Sequence, residues 1–350
     1  MGNADVDAIR ALLARLDLNV DQLVDAPADR HRMPTFREFI PRVADAVPGS
    51  TLAVYGTYWR RVQDVWGDRL VDEPTPLEIA QLAETMKVHV VHRRNGRGGR
   101  SAAEHLIGAL RCLYRFAVTE RIIAEQDNPA ARVAKPRRLG TTRRAIPEAR
   151  LAEINRTAAT TGNDPELDTL LLRLHVETAC RRGGTLGLHR GDLDVEQCLV
   201  RLREKGETVR WQPVSPTLME RLVAHAEERG SGPDGQVLRY RSGRPITARR
   251  YDYLWSRLGR HLRWVATQQV TTHWLRYTTL TWVERNYGYA IARAYAGHTG
   301  KSDAGTTTTY VRADVEEVAA ALSGLTGERH PLAQDGEVGS RERLQGEAAA

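Results

Sequence analysis

Apolar side chains recur every three to four residues along most of this chain, the spacing of helices that bury one face. Ile9, Leu12, Leu13 and Leu16 form the first such stripe and predict a short leader helix within residues 1–33. Three later helix starts share one device. Thr35-Phe-Arg-Glu38, Thr75-Pro-Leu-Glu78 and Ser101-Ala-Ala-Glu104 each set a hydroxyl three residues before a carboxylate. That is the capping box, in which the two side chains satisfy free N–H groups at a helix start. Pro76 takes the first helical position, where its missing N–H is no loss. A further helix starts near Ser50 with Leu52, Tyr55, Trp59, Val62 and Trp66 on one stripe, and the helix after Ser101 carries Leu106, Leu110, Leu113 and Ala117. Four short helices over residues 34–130 predict a compact all-α domain with its tryptophans in the core.

Asn128-Pro129 closes that domain, and a second starts at Pro147-Glu148, spanning residues 147–325. Asp164-Pro165 predicts the cap of a long helix that turns Leu167, Leu170, Leu171, Leu174 and Thr178 inward. The period then changes to two. Residues 192–203, a turn at Lys205-Gly206 and residues 208–214 predict a β-hairpin. Helices follow at about 215–229, 247–263, 272–286 and 289–297, and Asp314-Val-Glu-Glu317 starts a last one ending near Gly324. Residues 326–350 hold no aromatic side chain and little periodicity, as expected of a disordered tail. The class is therefore mainly α with a small antiparallel sheet.

Composition narrows the role. The 350 residues hold 41% hydrophobic side chains, enough for two cores, and no apolar run approaches the ~18 residues of a membrane span. The first residues lack a basic-then-apolar signal segment, and Val6 stands where a myristoylation motif needs Ser or Thr. Cys112, Cys180 and Cys198 are odd in number and far apart, as expected of reduced thiols in a cytoplasmic protein. The net charge of +7 suits a polyanion, and its distribution says more. Arg93, Arg94, Arg97 and Arg100 fall in one glycine-rich loop without an acid. Arg132, Lys135, Arg137, Arg138, Arg143 and Arg144 fall in the acid-free stretch 131–146, where Pro136 and Gly140 oppose a continuous helix. Both read either as solvated loops or as phosphate contacts, the second as an interdomain linker beside DNA.

Residues 273–310 carry the chemistry. His273 and Arg276 lie three apart on one helix face, followed by Gly297-His298, a Gly/Ser/Thr-rich loop and Tyr310 framed by threonines. Upstream, Glu177-Thr-Ala-Cys-Arg-Arg-Gly-Gly-Thr-Leu-Gly-Leu-His-Arg-Gly-Asp-Leu-Asp194 contains Arg181, and Lys205 sits at the hairpin turn. Together, in this order, these residues resemble the tyrosine recombinase (phage integrase) family over roughly residues 34–325. The upstream stretch resembles T-G-x-R-x-x-E-x-x-x-L-x-x-x-D-I-D, with Arg181 in the arginine's place and Leu188, Asp192 and Asp194 behind it. His273 and Arg276 match H-x-L-R, and Glu204-Lys205-Gly206 stands where the family carries a lysine in a G-K-G-like turn. One departure matters. Where relatives place Glu or Asp three residues after the arginine, this chain has Gly184, which either loosens Arg181 or is compensated elsewhere.

The resemblance implies an N-terminal core-binding (SAM-like) domain and an α+β catalytic domain that close on DNA as a C-shaped clamp. It implies Tyr310 as nucleophile, Arg181 and Arg276 on the phosphate oxygens, Lys205 as acid for the leaving oxygen, His273 assisting proton transfer and His298 placing the phosphate. Arginine forks suit the added charge of a phosphorane, and neighbouring cations favour the phenolate. It further implies a homotetramer on two double-stranded DNA sites and a possible accessory directionality factor. No carboxylate or Cys/His cluster suggests a metal or other cofactor, so activity in excess EDTA is expected. Three functions fit: a site-specific recombinase for a mobile element, a nicking-closing topoisomerase of the same chemistry, or a catalytically silent, sequence-specific DNA-binding protein on this scaffold.

Overall fold

A computed structural model describes residues 33–89, 99–137, 143–204, 208–297 and 313–333. The chain divides into two compact units, residues 1–140 and 141–350. The described part of the first is helical: α1 (Phe36–Ala46), α2 (Gly49–Trp66), α3 (Pro76–His89) and α4 (Arg100–Thr119). Two of the three expected capping boxes form. Glu38 N–H donates to Thr35 Oγ1 (3.3 Å) while Thr35 N–H donates to Glu38 (2.9 Å), and Glu78 and Thr75 repeat the exchange at 3.2 and 2.8 Å. The third does not. Gly99, at φ +73°, turns the chain into α4 before Ser101, whose hydroxyl lies inside the first turn, 3.4 Å from His105 Nδ1. Only glycine suits Gly99, since a Cβ there would meet the Lys87 backbone at 2.6 Å.

Trp59, Val62 and Trp66 of α2 pack against Leu106, Leu110, Leu113 and Ala117 of α4. Trp59 Nε1 donates to Ala109 O (3.0 Å) and the Tyr114 hydroxyl to Val71 O (2.9 Å), so both polar tips are satisfied inside the core. Leu52, expected on the same buried stripe, is 40% exposed. Val133, in the segment expected as linker, is buried beside Ala130 of the preceding domain, and Arg111 donates to both of their carbonyls.

The second unit surrounds a small sheet with helices. Its elements are α5 (Glu148–Thr160), α6 (Pro165–Thr178), α7 (Arg182–Leu186), β1 (Leu193–Asp194), β2 (Leu199–Glu204), β3 (Thr208–Pro213), α8 (Pro216–Glu228), α9 (Ala248–His261), α10 (Arg263–Gln268), α11 (Thr272–Tyr295) and α12 (Val315–Thr326). The expected strand 192–203 is broken in two. Asp194 accepts from Gln197 N–H (3.0 Å) and Cys198 adopts φ +52°, so a turn folds β1 back on β2. The sheet is thus a three-stranded antiparallel meander, with Leu193 opposite Val200 and Leu202 opposite Arg210. The two helices expected over 272–297 both form, separated by a kink at Gly288, whose φ 87° and ψ 170° are not helical; α11 spans the pair.

Asp164 caps α6, accepting from Leu167 N–H, and also pairs with Arg229. Asp168, wholly buried on α6, accepts from Arg250 and Arg257 of α9 at 2.7 Å each. The leucines of the expected α6 stripe are in place: Leu167, Leu170, Leu171 and Leu174 join the sheet's Val200 and Leu202 in one cluster. The chain after α12 departs from the expected disordered tail as far as it is described. Glu328 accepts from Arg173 (2.8 Å) and Thr217, and His330 is buried with Nε2 3.1 Å from Cys198 O.

His225 of α8 is buried and accepts from Arg239 N–H (3.2 Å). Burial, then the Arg229 charge, holds its pKa down at about 4, against 6.5 for a free imidazole. The unfolded chain therefore takes this proton first, so the stability is full above pH 6.5 and lost as pH falls towards 4. The loss should be about 3 kcal/mol at pH 4. His225→Gln, which keeps an acceptor, should flatten the acid limb of thermal unfolding between pH 6.5 and 4; an unchanged limb would remove His225 from this role.

Candidate active site

Four local choices build the site. First, α6 ends at Thr178 because Ala179 enters the left-handed region (φ 48°), its N–H donating to His175 O (3.1 Å). Cys180 is then buried, its Sγ 3.0 Å from Thr185 Oγ1 and 3.4 Å from His175 Nδ1. Arg181 follows as the extended residue that caps α7. Its Nη1 donates to Glu204 (2.9 Å), and its backbone N–H donates to the same carboxylate.

Second, β2 alternates so that Val200, Leu202 and Glu204 face inward. The Glu204 side chain is fully buried, and Arg210 of β3 places Nε 3.8 Å from its carboxylate. Arg210 Nη2 also donates to Thr178 O (3.2 Å). Third, α11 carries Arg276 into the interior, where Nη1 donates to Ala179 O and Nη2 to Ala296 O (2.7 Å). These carbonyls lie at the C-terminal ends of α6 and α11, where the helix dipole favours a cation. Burial, followed by the charge of Arg181, pulls the Arg276 pKa down to about 10, so the group stays charged at neutral pH. Fourth, Gly297 (φ +66°) passes close to Arg210: a Cβ there would meet Arg210 Cδ and Nε at 2.6 Å.

His273 stands one turn before Arg276, at the surface. Partial burial, then the charges of Arg143, Arg276 and Arg181, hold its pKa below the ordinary value and keep it neutral near pH 7. Three guanidinium groups, Arg181, Arg210 and Arg276, thus gather around one carboxylate, Glu204, and a neutral imidazole borders them. The excess positive charge suits an anion with several oxygens.

The structure therefore brings Arg181, His273 and Arg276 together. Lys205, His298 and Tyr310 lie outside the described residues, although Lys205 follows Glu204 and His298 follows Gly297 directly in the chain. Of the expected DNA contacts, Arg100, Arg132, Lys135, Arg137 and Arg144 are exposed, and Arg143 is half-buried beside His273. Arg93, Arg94, Arg97 and Arg138 lie outside the described residues. Sequence reasoning missed Glu204 and Arg210. The available signal was two charged residues at inward positions of paired strands, where a charge needs a partner.

A helical body holding a small antiparallel meander is a fold shared with solved integrase structures. A lambda integrase tetramer bound to a Holliday junction superposes with a TM-score of 0.60 at 16% identity, covering 86% of this chain and 88% of that one. The Tn1549 transposon integrase in complex with circular intermediate DNA gives 0.59 at 16%, covering 80% and 95%. In sequence, the tyrosine recombinase XerC of Chromobacterium violaceum is 26% identical over 306 residues, 85% of this chain and 95% of the relative. That of Chlamydia pneumoniae is 23% identical over 283 residues, covering 79% and 85%. Residues 144–317 match the phage integrase family model. The chain belongs to the phage integrase family, the tyrosine recombinases.

Proposed function

We propose that this protein is a site-specific DNA recombinase that integrates or excises a mobile element through a 3′-phosphotyrosine intermediate. The observation that carries the reading is the convergence of Arg181, Arg276 and His273 from two separate parts of the sequence. Arg181 and Arg276 bind the non-bridging oxygens of the scissile phosphate and stabilise the charge added in the phosphorane. Tyr310 loses its proton and attacks phosphorus. The P–O5′ bond breaks, Lys205 gives its proton to the leaving 5′-oxygen, and the strand is held as a phosphotyrosine. His273, neutral at working pH, accepts and returns protons, and His298 holds the phosphate. A 5′-hydroxyl from the partner duplex then attacks, releasing Tyr310 and joining the new strand. The bond count is conserved, so rejoining needs no ATP.

Residues 34–130 serve as the core-binding domain, and segment 131–146, with Arg93, Arg94, Arg97 and Arg100, contacts phosphates. The working assembly is a homotetramer on two DNA sites, with an accessory directionality factor as a further partner. Gly184 favours a second reading, a silent DNA-binding protein, because the acid expected there is missing.

The test is covalent capture. Wild-type protein and Tyr310→Phe are incubated in EDTA with nicked duplexes taken from sequence flanking the gene, then run on denaturing gels. A shifted band with wild type alone is the expected result. Sequence-specific binding without a covalent band would establish the silent reading instead, and cleavage that required Mg²⁺ would overturn the mechanism.

A further inference from the structure

We propose that Glu204 is the positioning residue that fixes Arg181, supplying from β2 the carboxylate that position 184 lacks. The inference rests on the recombinase reading and adds the group that aims its first arginine.

The geometry of α7 explains why an acid is needed there. Arg181 is the N-cap of α7, which makes Gly184 its third helical residue. A carboxylate at the third residue ordinarily reaches back to the backbone N–H of the cap. Gly184 has no side chain to do so, and the Arg181 N–H donates to Glu204 instead. The same carboxylate takes the Arg181 guanidinium at 2.9 Å. A guanidinium is a rigid planar fork, so anchoring one Nη fixes the direction of its remaining donors. Among the described residues none of those donors is bonded to a further group, which leaves them to meet an anion.

Space argues the same way. A Cβ on Gly184 would lie 3.2 Å from Glu204 Cγ and 3.5 Å from Oε1. The volume that a side chain at 184 would enter is already filled by the strand's carboxylate. In the pattern this chain resembles, an acid follows the arginine and glycine precedes the turn lysine. Here Gly184 and Glu204 hold the opposite types, and the structure puts them in contact. Glu204 is fully buried, so it needs partners; Arg181 and Arg210 provide them.

The experiment uses the full-length chain with Glu204→Gln, Glu204→Ala, Gly184→Glu and the double variant Glu204→Ala/Gly184→Glu. On the nicked duplexes above, Glu204→Ala should slow covalent complex formation by about 10- to 100-fold, as misplacement of a reacting group does. Gel-shift affinity should stay within about threefold, since phosphate contacts elsewhere hold the DNA. Gly184→Glu alone should also slow the reaction, because two carboxylates then compete for one space. The double variant should recover at least about tenfold over Glu204→Ala, with its acid acting from the capping-box position. Amide exchange over residues 179–186 should quicken in Glu204→Ala and slow again in the double variant. Cleavage by Glu204→Gln and Glu204→Ala within about threefold of wild type would overturn the proposal, as would a well-folded double variant no faster than Glu204→Ala. If wild type forms no covalent complex, the recombinase reading fails, and amide exchange still decides this contact: unchanged exchange in Glu204→Ala overturns it.

Discussion

Arg276→Lys is expected to reduce single-turnover strand cleavage by about 10²- to 10³-fold, the range seen when one donor to a developing oxyanion is removed. The substitution keeps a positive charge and a long stem, so the loss reports geometry rather than charge. Arg276 is buried and held by the carbonyls of Ala179 and Ala296, which fixes its plane before substrate arrives. A lysine presents a single ammonium with no fork, and cannot span both carbonyls while facing a phosphate. Gel-shift affinity should change by less than about threefold, because on the proposed reading the exposed basic residues supply most phosphate contacts. Cleavage within about threefold of wild type, on a DNA duplex that wild type cuts, would remove Arg276 from the site.

Asp168→Ala should be the most destabilising single change at a residue away from the site. Asp168 is wholly buried, with Arg250 and Arg257 on its two oxygens, and both arginines are themselves buried. Removing the carboxylate leaves two guanidinium groups facing each other without a counter-charge, at a cost of about 3–5 kcal/mol. Chemical denaturation of the full chain, followed by tryptophan fluorescence, measures it. The control is Asp68→Ala, which breaks an exposed pair with Arg37 and should leave the denaturation curve unchanged. Equal midpoints for the two variants would contradict this assignment.

What the sequence made legible follows from how local the physics is. Thr35 with Glu38, Thr75 with Glu78 and Asp314 with Glu317 form their caps because the partners are three residues apart and nothing intervenes. Ser101 with Glu104 has the same spacing but fails, because the left-handed Gly99 starts the helix earlier. The alternation over 192–203 concealed a turn, since the Asp194–Gln197 hydrogen bond and the conformation of Cys198 interrupt a run that still alternates. Arg181, His273 and Arg276 were legible through their order and spacing. Glu204 was not: it meets Arg181 from 23 positions away, through the fold alone. The missing acid at 184 was visible in sequence, and its replacement only in three dimensions.

The last helix gives the chain a rule of assembly. Val318, Ala321 and Leu322 of α12 are buried in the chain's own second unit, against Val283, Ala292 and Tyr295. Glu328 and His330 pin the chain just beyond. Suppose each protomer passes this helix to a neighbour. Every donated helix then leaves an empty apolar seat behind. In an open row of protomers one seat stays empty and one helix stays unhoused, whereas a closed ring fills them all. Exchange of α12 would therefore favour cyclic assemblies over open ones, with the closing contact worth a full docking of the helix.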